Sequence, residues 1–477
     1  MFAKKSIAGL LQEATDTNTP SLERTLGLFA LISLGIGSII GAGIFAITGQ
    51  VAANHTGPAI VLSFIFAAIG CACVGLCYAE FASLIPVAGS AYTYAYATLG
   101  ELFAWIIGWD LALEYIFSAS TVSVAWSGYV VSLLHDVGIT LPPSLSQPPC
   151  NVPAMVLVAL ITWLLVQGIR KSTDFNNIVV AVKVLAIFLF IGFGIFCINT
   201  SYWQPFIPEN TGEFGVFGWS GIFRGTGIIF FAYIGFDALA AVSQEAHKPQ
   251  RDIPIAMLIA LLISTILYIA VSLVLTGIVP YHQLNVPDPM AVGVNAMGSG
   301  FRWLRPVIKI AAIAGLSSVI LTSLMAQARV LYSMAKDGLL PATFTQLHPQ
   351  FKTPYVATIV SGVITMILAG VLPIQVLGEL VSIGTLFAFF MVAIAVLVLR
   401  HTQPDLHRPF RTPFMPWIPL LGALSSGVQM FSFSVNNWLR LLLWLLIGLV
   451  IYFAYGRDRS VLRLQNQQKT ESSNFLI

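Results

Sequence analysis

Residues 26–50 read LGLFALISLGIGSIIGAGIFAITGQ, a run long enough to cross a bilayer and free of charge. Gly35, Gly37, Gly41 and Gly43 crowd its middle, where a continuous helix tolerates glycine least. Backbone that leaves a helix at membrane depth survives only when buried in protein or lining a cavity. The stretch therefore predicts a broken helix and a binding site inside the bilayer.

The chain around it is built for lipid. Of 477 residues, 57% are hydrophobic and 9% charged, with the charges between apolar runs. Such runs fall near 26–50, 57–81, 101–134, 153–169, 177–198, 220–245, 254–279, 305–335, 355–371, 375–400, 414–434 and 438–455, which gives twelve spans. The expected layout is one transmembrane domain over 26–455 between an N-terminal tail, 1–25, and a C-terminal tail, 456–477. The first 20 residues hold no sustained apolar core, so no cleavable signal is expected. An even count places both tails on one side, and Lys4, Lys5, Arg24, Arg170, Lys171, Lys248, Arg400, Arg457 and Lys469 share that side, against Arg224, Arg302, Arg305, Lys309 and Arg440 opposite. Both termini are therefore expected in the cytoplasm.

Between the second and third spans, IPVAGSAYTYAYATLGE (85–101) suggests a short interfacial helix, and 280–304, with Pro280, Pro287 and Pro289, suggests an external lid. The sixth span, GIFRGTGIIFFAYIGFDALAAVSQE (221–245), repeats the theme of the first: Gly225, Gly227 and Gly235 interrupt it, with Tyr233 and Asp237 mid-span. If spans 1–5 (26–198) and 6–10 (220–400) are two copies, an odd-numbered repeat inverts the second copy and brings the two broken helices together at the midplane. Spans 11 and 12 (414–455) lie outside the repeat.

An interrupted helix offers bare N–H groups where it restarts and bare C=O groups where it stops. Amides of Gly41, Ala42 and Gly43 could take a carboxylate, and carbonyls of Ile39, Ile40, Phe231 and Ile234 an ammonium. An α-amino acid would be held by its constant part. The competing reading of GIGSIIGAG is close helix packing through Gly37 and Gly41. A dinucleotide fingerprint is excluded, because the spacing is one residue too long and no strand precedes it.

Charges inside spans are candidates for coupling. Lys183 lies about two turns into the fifth span, and could release and regain a proton as the site opens and closes, or instead snorkel to the interface. Asp110 and Glu114 share a face of the third span, with Glu114 a protonatable or structural partner. Asp237 could cap the restarted half of the sixth span, and Arg329 with Asp337 reads as a gate or anchoring pair.

No metal, cofactor or enzyme is expected. All seven His fall in loops or at span ends, and Cys71, Cys73 and Cys77 sit in an apolar run where packing is the simpler reading. Cys150, alone in a polar loop, leaves open a bond to a small membrane subunit. The net charge of +3 does not suggest nucleic acid.

Several long stretches in order carry a resemblance: SLGIGSIIGAGIF, YAEFASLIPVAGSAYTYAY, WDLALEYIFSASTVSVAWSGY, FFAYIGFDA and QARVLYSMAKDGLLP. They resemble the amino acid, polyamine and organocation (APC) transporter superfamily, and most closely its bacterial cationic amino acid transporter branch. The resemblance implies an all-α fold with a leucine-transporter-like 5+5 inverted repeat, discontinuous helices 1 and 6, and secondary amino acid transport by alternating access. It places the substrate carboxylate at Ala42 and Gly43 beside Ile39, the amino group at Phe231 and Ile234, and the Phe231 ring as a gate. Lys183 matches a lysine that replaces a structural sodium, which implies proton coupling or sodium-free exchange. Leu316 aligns with the position that is small in arginine and lysine carriers and bulky in neutral amino acid carriers, so neutral substrates are expected. Cationic substrates, obligate exchange and a passive channel remain the alternatives.

Overall fold

The computed structural model describes residues 3–7, 9–10, 24–87, 89–286, 288–431, 433, 435–465 and 467. Pro287, Lys469, the side chains of Arg170 and Lys171, and parts of both expected tails lie outside the described residues.

Among the described residues the secondary structure is helical apart from a single parallel bridge between Leu26 and Ala246. The labelled helices are α1 (Leu28–Ile39), α2 (Ile60–Leu84), α3 (Ala91–Thr98), α4 (Glu101–Asp136), α5 (Val152–Val166), α6 (Ile169–Gly194), α7 (Gly218–Ile229), α8 (Pro249–Ile278), α9 (Pro289–Ala296), α10 (Leu304–Lys336), α11 (Tyr355–Val371), α12 (Ile374–Thr402), α13 (Trp417–Met430) and α14 (Val435–Ile451).

Among the described residues, eight helical segments are long and apolar enough to cross a membrane, and the first, Leu28–Leu84, takes in the first two expected spans. Two more apolar helices, α5 and α11, are shorter; the 15 residues of α5 rise only about 22 Å, less than a bilayer core. The chain is an all-helical integral membrane protein.

Burial separates centre from rim. The apolar window of Gly218–Ala241 is 83% buried and that of Val435–Gln465 only 22%, which puts the sixth span at the core and the last against lipid. Leu439, Leu442, Leu443 and Leu446 on α14 are all more than half exposed, an arrangement that water would penalise and hydrocarbon does not. Around the sixth span, α4 packs along α10 and α12, and α8 along α1 and α2.

Two local expectations meet different outcomes. The 85–101 segment does form a short helix, α3, and every residue in it is buried against protein. Its tyrosines explain this. Tyr94 stacks on Phe81 at 4.9 Å, Tyr92 donates to Asp337 and Tyr96 to Glu101, while the N-terminal segment reaches the helix through the Lys5 N–H, which donates to the Tyr96 carbonyl. The 280–304 segment contains α9, which lies on α8, α10 and the restarted half of the first span.

Candidate functional site

The first span stops where its glycines fall. Helix α1 ends at Ile39, Ile40 turns extended (φ −77°, ψ 101°), and the chain resumes as a widened π turn over Gly43–Ile47. The N–H groups of Gly41, Ala42 and Gly43 open the restarted half, the positions a helix leaves without internal partners. Carbonyls of the π turn take side-chain donors as well: Tyr129 donates to Phe45, and the Thr48 hydroxyl joins its own N–H on Gly43.

The sixth span stops in the same manner. After α7 comes a 3₁₀ turn, Phe230–Tyr233, then extended Ile234 and Gly235 at φ 121°, and a short helix restarts at Ala238. Gly235 is required twice over, since its dihedral is left-handed and a Cβ there would lie 2.3 Å from the Ser38 hydroxyl. Asp237 sits at the N-cap position of the restarted helix without capping it. Its carboxylate turns back to accept the Gly235 N–H at 3.2 Å and the Tyr115 hydroxyl, so it holds the turn rather than the helix.

The two breaks touch. A Cβ on Gly43 would fall 2.3 Å from that of Ala232, so this glycine sets how closely the spans cross. The Tyr268 hydroxyl from α8 lies 2.7 Å from the Ile39 carbonyl and 2.7 Å from the Ala232 carbonyl, one group serving both broken helices.

Lys183 does not snorkel. It is fully buried, and its ammonium donates to the Gly37 carbonyl at 2.9 Å, the Ile40 carbonyl at 2.7 Å and the Ser318 hydroxyl at 2.8 Å. All three of its donors are thus spent on the end of α1 and on α10. Gly315 makes room for it: a Cβ there would sit 3.2 Å from the lysine stem.

A cavity of about 340 Å³ opens beside the breaks, on the end away from the termini. Ala42 and Phe231 line it, joined by Gln50, Asn54, His55, Thr121 and Ser382, and none of the described lining residues is Asp, Glu, Lys or Arg. Ile39, Ile40, Gly41, Gly43 and Ile234 are buried and are not among its lining residues. Leu316 is buried on α10 and does not line the cavity, while its neighbour Val319 packs where a Gly41 side chain would be. Asp110 and Glu114 are fully buried on α4.

At the other end the molecule is closed. Leu26 bridges Ala246, the Thr25 and Leu26 N–H groups both donate to the Glu245 carbonyl at 3.0 Å, and the Glu245 carboxylate pairs with Arg329 at 2.7 Å. The expected Arg329–Asp337 pair is therefore wrong. Arg329 turns inward to the end of the sixth span, whereas Asp337, at the C-cap of α10, takes Lys5 and the Tyr92 hydroxyl.

Tyr268 and Ser318 escape a reading of the sequence; the one signal for Tyr268 is a hydroxyl in the middle of an apolar span. Tyr268→Phe is expected to weaken substrate binding about tenfold, the worth of about 1–1.5 kcal/mol for a buried hydrogen bond. A thermal-shift titration checks it, and an unchanged affinity would reduce Tyr268 to packing.

Residues 26–455 match the amino acid permease family. The chain is 44% identical over 472 residues to the branched-chain amino acid permease BcaP of Bacillus subtilis (strain 168), covering 97% of this chain and 99% of that protein. It is 42% identical over 469 residues to the methylthioribose transporter of the same organism, covering 97% and 99%. Against cationic amino acid transporter 4 of Homo sapiens it is 36% identical over 393 residues, covering 80% and 61%. The chain belongs to the amino acid permeases of the APC superfamily, transporters and not enzymes, related to BcaP and to the cationic amino acid transporters.

Proposed function

We propose that this protein is a secondary active transporter of neutral L-amino acids that works by alternating access, coupled to protons and independent of sodium. The observation that carries this reading is the contact of the two broken helices beside a cavity whose described lining residues carry no charge. Bare amides at Gly41, Ala42 and Gly43 face the needs of a carboxylate, and the carbonyls of Phe231 and Ile234 those of an ammonium. Ile39 and Ile40 carry carbonyls already engaged by Tyr268 and Lys183, and each oxygen keeps a second lone pair for substrate. A cationic side chain would meet no carboxylate among the described lining residues, which favours neutral substrates. Lys183 is the coupling residue in this scheme, with Glu114 a further proton acceptor and Asp237 structural.

The fold that goes with this function is twelve spans with a leucine-transporter-like inverted repeat over about 26–198 and 220–400, helices 11 and 12 outside it, and both tails cytoplasmic in a bacterial plasma membrane. The transport domain runs from 26 to 455. The present conformation, open away from the termini and closed at their end, would be the one that loads from outside.

Purified protein in liposomes is expected to accumulate labelled L-leucine or L-valine under an inward proton gradient without sodium. Uptake that requires sodium and ignores pH would overturn the coupling, and conductance without saturation would favour a channel. Trans-stimulation by internal substrate would identify an exchanger. A second reading follows from the relative named as a methylthioribose transporter. Methylthioribose has neither a carboxylate nor an ammonium and would meet the backbone groups of the breaks through neutral hydroxyls, without the charge-assisted bonds open to an amino acid, and competition with labelled leucine separates the two.

A further inference from the structure

We infer that Thr121 and Ser382 form the subsite that reads the substrate's side chain, and that they read it as hydrogen-bond acceptors. The inference rests on the neutral amino acid reading above and adds the determinant of specificity.

The two residues come from α4 and α12 and line the same cavity as Ala42 and Phe231. A hydroxyl has one proton to give and two lone pairs to receive with. The Thr121 proton goes to the Phe117 carbonyl at 2.7 Å, and the Ser382 proton to the Gly378 carbonyl at 3.2 Å. Both donors are committed to their own helices, so what remains for the cavity is acceptor capacity. Gly378, a turn before Ser382, has no side chain to cover it; a Cβ there would reach only ordinary contact, 3.7 Å from the Thr121 methyl.

The remaining wall gives these two hydroxyls their weight. Ala125, Ile228 and Ile374 offer only hydrocarbon, and Gln50, Asn54 and His55 begin eight residues beyond Ala42, toward the mouth. A purely aliphatic tail fits such a wall by burial alone. A tail that carries one O–H can place it on Thr121 or Ser382 and recover the hydrogen bond it gave up in water. The acceptors are neutral, so they cannot offset the desolvation of an ammonium or guanidinium.

Isosteric pairs isolate this effect: L-valine with L-threonine, and L-norvaline with L-homoserine, each pair exchanging a methyl for a hydroxyl. Competition against labelled leucine in proteoliposomes gives an affinity ratio for each pair. In the wild type, the hydroxylated member of at least one pair is expected within about threefold of its partner. In the Thr121→Val, Ser382→Ala double variant that ratio should move about tenfold against the hydroxylated member. The exchanged hydroxyls of Thr121→Ser with Ser382→Thr should restore it. Ratios that stay put, or pairs whose members weaken together, would overturn the subsite. Absence of valine and norvaline binding to the wild type would overturn the neutral amino acid reading itself, a result distinct from an unmoved ratio.

Discussion

Lys183→Ala is expected to abolish proton-driven accumulation of a labelled neutral amino acid, a fall of at least tenfold. The expectation follows from where the ammonium spends its donors. Two go to carbonyls, of Gly37 and Ile40, at the very end of α1, and one to Ser318 on α10. The lysine itself belongs to α6, so one side chain joins three helices at the point where the first span gives up its own hydrogen bonds. A charged donor is worth about 1.5–3 kcal/mol per hydrogen bond. Alanine removes three such bonds, leaving the Gly37 carbonyl to the Ser318 hydroxyl and the Ile40 carbonyl without the lysine, so the end of α1 is no longer held in the geometry that the proposed mechanism needs. Lys183→Arg separates charge from proton exchange. Arginine keeps a positive group but does not give up its proton, so this variant should retain counterflow of substrate while losing accumulation against a gradient. Accumulation at wild-type levels in Lys183→Ala would remove the residue from the coupling mechanism.

Much of this site was legible because it depends on glycine, charge and position within a span. The break in α1 could be read from Gly35 through Gly43, that of the sixth span from Gly225, Gly227 and Gly235, and the inward lysine from its depth. What stayed hidden depends on which spans touch. In water, a polar face and an apolar face tell which side of a helix is buried. In lipid both faces are apolar, and α2 illustrates the loss: its outward Phe66 and Ile69 are as hydrophobic as its buried Phe64 and Phe81. Nothing in the sequence therefore aims Tyr268 at two carbonyls more than 30 residues away. Arg329 failed for the same reason. Its partner was sought along its own helix, eight residues on, and lies instead on the sixth span. The burial of α3 escaped notice because tyrosines suit an interface as well as a core.

The pair that replaced the expected one gives the second large effect. Glu245→Ala is expected to open the termini end of the molecule, read as at least a tenfold faster reaction of an introduced Ala241→Cys with an impermeant thiol reagent from that side, in a background without the native cysteines. Ala241 is fully buried, four residues before Glu245. Arg329 and Glu245 are each 2% exposed and paired through two contacts, 2.7 and 3.3 Å, and the same residue's backbone carbonyl receives the N–H groups of Thr25 and Leu26. Side chain and backbone of Glu245 thus pin the ends of the first and sixth spans together and fix both to α10. Removing the carboxylate leaves a buried guanidinium without its counter-charge, at a cost of about 3–5 kcal/mol. That cost falls on the closed arrangement alone, because opening lets water reach Arg329. A bias of this size moves a two-state population by about two to three orders of magnitude. Net uptake should fall at the same time, since the form that loads at the opposite mouth is depleted. Arg329→Ala should act in the same direction by stranding the carboxylate. The double variant should lie closer to wild type than either single one, because it leaves no lone charge to hydrate. Equal labelling in wild type and all three variants would make the pair a fixed brace, and the opening would then have to be sought at the backbone bonds between Leu26 and Ala246.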